Sequence, residues 1–135
     1  MLLQYSDEFK SGIFITFSGN CKKALQFYQT CFGGTLHFET FDEELQGYKE
    51  KPVINGSLVS ESIVIHGSDM VYNEGRKIGN YISVFLPFND GDERKTLIDK
   101  LCIDRKQLLA ANDYEQTLVE ITDAFDVRWI LSVSH

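Results

Sequence analysis

Apolar and polar residues follow two rhythms along this chain, and the change from one to the other occurs twice in the same way. Ile13-Phe14-Ile15-Thr16-Phe17 is dense in β-branched and aromatic residues and predicts a strand. Gly19-Asn20 follows, with Asn20 at the N-cap position of a helix, its side chain expected to accept from the first free backbone N–H groups. Ala24, Leu25, Tyr28 and Phe32 then recur at helical spacing, opposite Lys22, Lys23, Gln26 and Gln29, so Tyr28 and Phe32 are expected to pack helix on sheet. Gly33-Gly34 supplies the left-handed stop. Thr35 to Phe41 alternates and reads as a second strand. Asp42 to Lys51 is acidic and polar and reads as a loop ending at Pro52. Val53 to Val59 and Glu61 to His66 read as two more strands, joined by a tight hairpin near Ser60-Glu61.

Asn73 to Lys77 is a hydrophilic connector, and after it the order begins again. Tyr81 to Leu86 is strongly β in character and Pro87 closes it. Asn89-Asp90-Gly91-Asp92 is turn chemistry leading into a helix with Leu97, Ile98 and Leu101 on one side and Glu93, Arg94, Lys95, Asp99 and Lys100 exposed. Gln107 to Ala111 fits a strand or a short helical turn. Gln116 to Thr122 and Val127 to Val133 read as the last strands, turned by Asp123-Ala124-Phe125-Asp126. The fold class is therefore α+β: two βαβββ modules, the first spanning about 12–69 and the second about 80–134, with a connector near 70–79, in a single domain. Pairing two such curved mixed sheets, helices outside, leaves a cup where a small ligand sits.

Strand alternation assigns faces. If Ile15 and Phe17 pack on the helix, Phe14 and Thr16 line the cup. Tyr81, Ser83 and Phe85 share one face of the fifth strand, and Ile82, Val84 and Leu86 the other.

Composition narrows the function classes. The 135 residues are 43% hydrophobic and 24% charged, an ordinary globular balance, and no apolar run approaches the roughly 20 residues that span a bilayer. The net charge is −7, and Lys22-Lys23 and Arg105-Lys106 are isolated pairs, which disfavours nucleic acid. Neither a membrane nor a secretory leader is indicated, so a cytoplasmic location is expected. Cys21, Cys31 and Cys102 show no metal-binding or disulfide spacing and read as reduced, partly buried thiols.

Four segments in order resemble the glyoxalase/bleomycin-resistance/dioxygenase (vicinal oxygen chelate) superfamily, and within it the PhnB-like branch. They are Gly19-Asn20-Cys21-Lys22-Lys23-Ala24-Leu25-Gln26-Phe27-Tyr28 with Phe32-Gly33-Gly34, then His66-Gly67-Ser68-Asp69, then Gly79-Asn80-Tyr81-Ile82-Ser83-Val84, and finally Thr122-Asp123-Ala124-Phe125-Asp126-Val127-Arg128-Trp129. The resemblance implies paired βαβββ modules, a sheet cup and a homodimer. In the superfamily's metal-using members, ligands project from the first and last strands of each module. Those positions fall here near Gly12 or Ile13, at Ile65-His66, near Tyr81 to Ser83 and near Ile130, and His66 alone is a good ligand. The branch's frequent His is replaced by Asn55. No metal site and no cofactor are expected.

The expected ligand pocket comprises Phe14, Thr16, Asn55, His66, Tyr81, Ser83, Phe85 and Trp129, holding a small aromatic or apolar molecule. His66 reads either as a pocket group or as a strand-end histidine facing solvent or bonded to backbone; Trp129 reads either as a flat ligand wall or as core. The alternative function is a metal-dependent glyoxalase- or dioxygenase-like enzyme with His66 and Glu120 as catalytic candidates. Glu61 reads as a hairpin residue, Asp123 as an Asx-type turn former, and His37 as facing solvent or pocket.

Overall fold

Parity in the first strand decides which side of the sheet is covered. The computed structural model describes residues 11–40, 52–69, 78–103 and 111–134. Its chain divides into two compact units, Met1–Arg76 and Lys77–His135. In the first, β1 (Ile13–Thr16) runs parallel to β4 (Val64–Ser68), β4 pairs antiparallel with β3 (Val53–Val59), and β3 with β2 (Thr35–Thr40), giving the order β1-β4-β3-β2. Helix α1 (Cys21–Phe32) covers one face. Ile13, Ile65, Leu58 and Leu36 stand in one cross-strand row on that face. Ile65 and Leu58 have no exposed surface, each burial contributing about 1.5–3 kcal/mol.

A cross-strand glycine pair seats the helix. Gly56 and Gly67 are register partners, and a Cβ on Gly67 would stand 2.8 Å from the Phe17 ring and 3.0 Å from the Cys21 sulfur. A Cβ on Gly56 would meet Leu25 at 2.9 Å. Ala24, Leu25, Tyr28 and Cys31 fill the remaining contact, while Phe32 is only half-buried, so Cys31 takes the core place expected of it. Gly33, at φ 74°, stops the helix as expected, its N–H returning to the Gln29 carbonyl at 2.8 Å.

The helix start differs from expectation. The Asn20 side chain makes no cap bond, and its buried Oδ1 has no partner among the described residues. Buried Asp69, just beyond β4, does the work from across the sheet. Its Oδ1 accepts from Gly19 N–H at 2.8 Å and Cys21 N–H at 2.9 Å, and its Oδ2 from Val53 N–H at 2.9 Å. The β3–β4 turn also lies later than expected. Ser60 closes it, exchanging bonds with Ile63 through backbone and hydroxyl, which delays β4 to Val64.

The second unit repeats the pattern with β5 (Val84–Phe88), helix α2 (Gly91–Leu101), β6 (Leu118–Thr122) and β7 (Arg128–Val133). β5 is parallel to β7, and β7 antiparallel to β6, in the order β5-β7-β6. That order matches β1-β4-β3 of the first unit, so the duplication extends to strand direction. Of the segment Gln107 to Ala111, expected as a strand or a short helical turn, residues 107–110 lie outside the described residues, and Ala111 opens a short 3-10 helix, Ala111–Glu115. The loop read at 42–51 and the connector at 73–77 also lie outside them.

Two expectations are corrected here. Pro87 does not close the fifth strand but lies within it, opposite Ser132. β5 is an edge strand, where a missing N–H is tolerated. The strand consequently begins at Val84, and Tyr81 and Ser83 precede it. Arg94, expected on the exposed side of α2, is 2% exposed. Its guanidinium donates to the carbonyls of Tyr114 at 2.6 Å, Thr117 at 3.1 Å and Leu131 at 3.3 Å, pinning the helix to the chain that enters β6 and to β7. Asp90 caps α2 by accepting from Asp92 N–H at 2.8 Å. No helix of the described residues is long and apolar enough to cross a membrane.

Candidate functional site

Among the described residues, the face of the first sheet away from α1 carries no helix of its own unit, and four of the expected pocket residues share it. Phe14 is paired with His66 in the parallel β1–β4 ladder, and His66 with Ser57 on β3. Ser57 is in turn paired with His37 on β2. The row Phe14–His66–Ser57–His37 thus crosses all four strands on one face, neighbouring residues about 5 Å apart at Cβ. Thr16, two residues on from Phe14, and Asn55, two before Ser57 and paired with Glu39, lie on the same side.

Phe14 is 63% exposed despite its aromatic ring, and His66 and Ser57 are half-buried. The side chains of His37, Ser57 and His66 make no hydrogen bond or ion pair among the described residues. The face therefore joins an uncovered ring to polar groups with unused bonding capacity. Sequence reading placed His66 here but left His37 open between solvent and pocket, and it did not single out Ser57. Ser57 was within reach of the period of two, because Asn55, Ser57 and Val59 must share a face, whereas His37 is set there by its pairing with Ser57.

The second unit divides the expected residues. Phe85, Ile130 and Glu120 form a cross-strand row on the face away from the core, with Phe85 57% exposed. Trp129 does not join them. It pairs with Val84 and Ile121 on the opposite face and is fully buried, its indole N–H donating to Asp123 Oδ2 at 2.8 Å. Of its two readings, core holds and ligand wall does not. Asp123 also accepts from Phe125 N–H at 2.8 Å and Val127 N–H at 3.1 Å, the expected Asx-type turn. Tyr81, 86% exposed, and half-buried Ser83 sit on the approach to β5 rather than in it. Glu120 projects from β6 as an exposed carboxylate held by Arg128, which also donates to the Asn80 carbonyl. Glu61 is exposed in the Ser60–Ile63 turn.

Among the described residues, no three His, Cys, Asp or Glu side chains come together as a metal-binding group. The three cysteines are buried and form no disulfide. Burial, and then the Asp69 carboxylate, push the Cys21 thiol up to about 12, far from nucleophilic activation.

No protein-family model matches the chain, and no curated protein matches it. Solved structures do. Protein PA1353 from Pseudomonas aeruginosa superposes with a TM-score of 0.72 at 21% identity, over 94% of this chain and 98% of that one. A putative 3-demethylubiquinone-9 3-methyltransferase, PhnB protein, from Bacillus cereus gives 0.71 at 22%, over 93% and 99%. A glyoxalase/bleomycin resistance protein/dioxygenase superfamily member from Sphaerobacter thermophilus gives 0.50 at 21%, over 93% and 98%. The chain has the glyoxalase/bleomycin-resistance fold. Likeness at this identity carries the fold and not a reaction. Within that fold the motif residues prove to be architectural: Asp69 of His66-Gly67-Ser68-Asp69 holds the start of α1, and Asp123 and Trp129 of the closing motif hold each other.

Proposed function

We propose that this protein binds a small apolar or aromatic molecule on the open face of its first sheet, without a complete metal site. The observation that carries the reading is the Phe14–His66 pair: an aromatic ring left 63% exposed beside an imidazole with no partner among the described residues. Thr16 and Asn55 add polar contacts on the same side. The ring supplies apolar area, and the polar groups fix orientation, which is the usual composition of a small-molecule site. Phe85 offers a second exposed ring in the other unit.

The enzyme alternative draws less support. Glu120 is already engaged by Arg128, and His66 is the one good ligand at the positions the metal-using members employ. The methyltransferase name borne by the Bacillus cereus neighbour finds no support here either. In the turn between β1 and α1 the Gly19 and Cys21 amides are spent on the Asp69 carboxylate rather than offered to a cofactor.

The protein is further proposed to act as a cytoplasmic homodimer that binds neither nucleic acid nor membrane. The net charge of −7 supports the exclusion of nucleic acid, and exposed Tyr81, Ile82 and Ile103 offer apolar area to a second copy. Sedimentation equilibrium tests the dimer.

A thermal-shift screen of small aromatic and apolar compounds tests the binding reading. Compounds that raise the melting temperature of the parent protein, but not of folded Phe14→Ala or His66→Ala, support it. Near-stoichiometric Zn²⁺, Ni²⁺, Mn²⁺ or Fe²⁺ retained after desalting and lost in His66→Ala would instead favour the enzyme.

A further inference from the structure

The polar half of the row limits what the ligand must carry. His37, Ser57 and His66 occupy successive strands at one level of the sheet, and none spends its side chain on another described residue. Each can present a donor: a neutral imidazole carries one N–H whose tautomer is free to choose, and a hydroxyl rotates to suit. Three donors side by side match a group that only accepts, and a carboxylate offers about four lone-pair sites. Bonds to an ionised acceptor are about twice as strong as neutral ones.

Charge narrows the choice further. The described residues on this face are Phe14 and Thr16 of β1, Thr35, His37 and Glu39 of β2, and the outward residues of β3 and β4, with no Lys or Arg among them. A doubly charged phosphate finds no fixed cation among these described residues, and Glu39, two residues from His37, opposes a second negative charge. A single negative charge, shared over three donors, is what the row accommodates.

Spacing gives the length. Neighbouring strands lie about 4.8 Å apart, so the distance from Ser57, at the centre of the donors, across His66 to Phe14 is about 10 Å. Resting on the binding reading above, we infer that the ligand is a small monocarboxylic acid whose apolar body, up to about 10 Å long, reaches from Ser57 to the Phe14 ring. The carboxylate sits over His37, Ser57 and His66, and the body crosses β4 to reach β1.

The test uses matched probes on the full-length protein: octanoate against 1-octanol, and 3-phenylpropionate against 3-phenylpropanol, titrated by isothermal calorimetry and by amide shifts of ¹⁵N-labelled protein. The inference expects each acid to bind at least tenfold tighter than its alcohol, with shifts at Phe14, Ser57 and His66. His37→Ala and Ser57→Ala, both half-exposed or exposed positions that leave the core intact, remove two of the three donors and should erase most of that ratio. Phe14→Ala should weaken acid and alcohol together. Equal affinity for acid and alcohol at this face would overturn the acid inference and leave the binding reading standing. Preference for the acid with shifts elsewhere, or no shift at this face from any of the four probes, would also overturn it. The broader binding reading would then be judged by the compound screen.

Discussion

The carboxylate of Asp69 accepts the backbone N–H of Cys21 at 2.9 Å across 48 residues of chain. With Gly19 and Val53 on the same carboxylate, one buried side chain ties together the β1–α1 turn, the start of β3 and the end of β4. The sheet that presents Phe14 and His66 is thereby held in one register by a carboxylate spent on backbone N–H groups.

Asp69→Ala should leave three backbone donors unsatisfied and cost about 3 kcal/mol or more, since each bond to a charged acceptor contributes about 1.5–3 kcal/mol. Asp69→Asn retains one acceptor oxygen and should cost less. Urea denaturation checks both, and a loss below about 1 kcal/mol in the alanine variant would show that the staple is dispensable.

Cys21 makes the same junction sensitive to alkali. Its thiol is raised from 9.0 to about 12 by burial and then by Asp69, so the folded chain keeps a proton that the unfolded chain releases. The unfolded state therefore binds fewer protons between these values, and stability falls as pH rises from about 9 towards 12. Cys21→Ala should flatten that part of the stability–pH curve. Iodoacetamide at pH 8 should leave Cys21 of the native protein unmodified and label it once urea is added.

Trp129, the sole tryptophan, reports on the second unit. Fully buried, it should emit at short wavelength and resist acrylamide quenching until the unit unfolds. Trp129→Phe removes the N–H that Asp123 receives and leaves a cavity, and should cost about 2–4 kcal/mol in thermal or chemical unfolding. An exposed emission spectrum from the native protein would contradict the assignment.

Arg94 should tolerate little change. Lysine cannot reach the carbonyls of Tyr114, Thr117 and Leu131 together, so Arg94→Lys should destabilise by about 1–3 kcal/mol. Lys95→Ala, one residue on, exchanges an exposed pair with Asp99 and should stay within about 1 kcal/mol.

These predictions show where sequence reading succeeds and where it stops. The period of two placed Phe14 and Thr16 opposite Phe17, because sheet parity is local and steric. The Val53–Val59 strand was legible for a similar reason, its β-branched residues being local in effect. Arg94 was misread because a charge on a helix is normally solvated; only three distant carbonyls make its burial tolerable, and they arrive from 20 to 37 residues away. Asn20 had the right chemistry for a cap, yet Asp69 outcompeted it from the far end of the unit. Trp129 could be assigned a face only through its register with Val84, which depends on where β5 begins. His37 and His66 are separated by 29 positions, and only the pairing of both with Ser57 sets them in one row.

The most direct test of the account is a ¹⁵N-amide shift map of the protein titrated with the best compounds from the thermal-shift screen. The account predicts that shifts concentrate at Phe14, Thr16, Asn55, Ser57 and His66 and are lost in Phe14→Ala while the rest of the spectrum is unchanged. Saturable shifts confined to other surfaces, with this face silent, would contradict it.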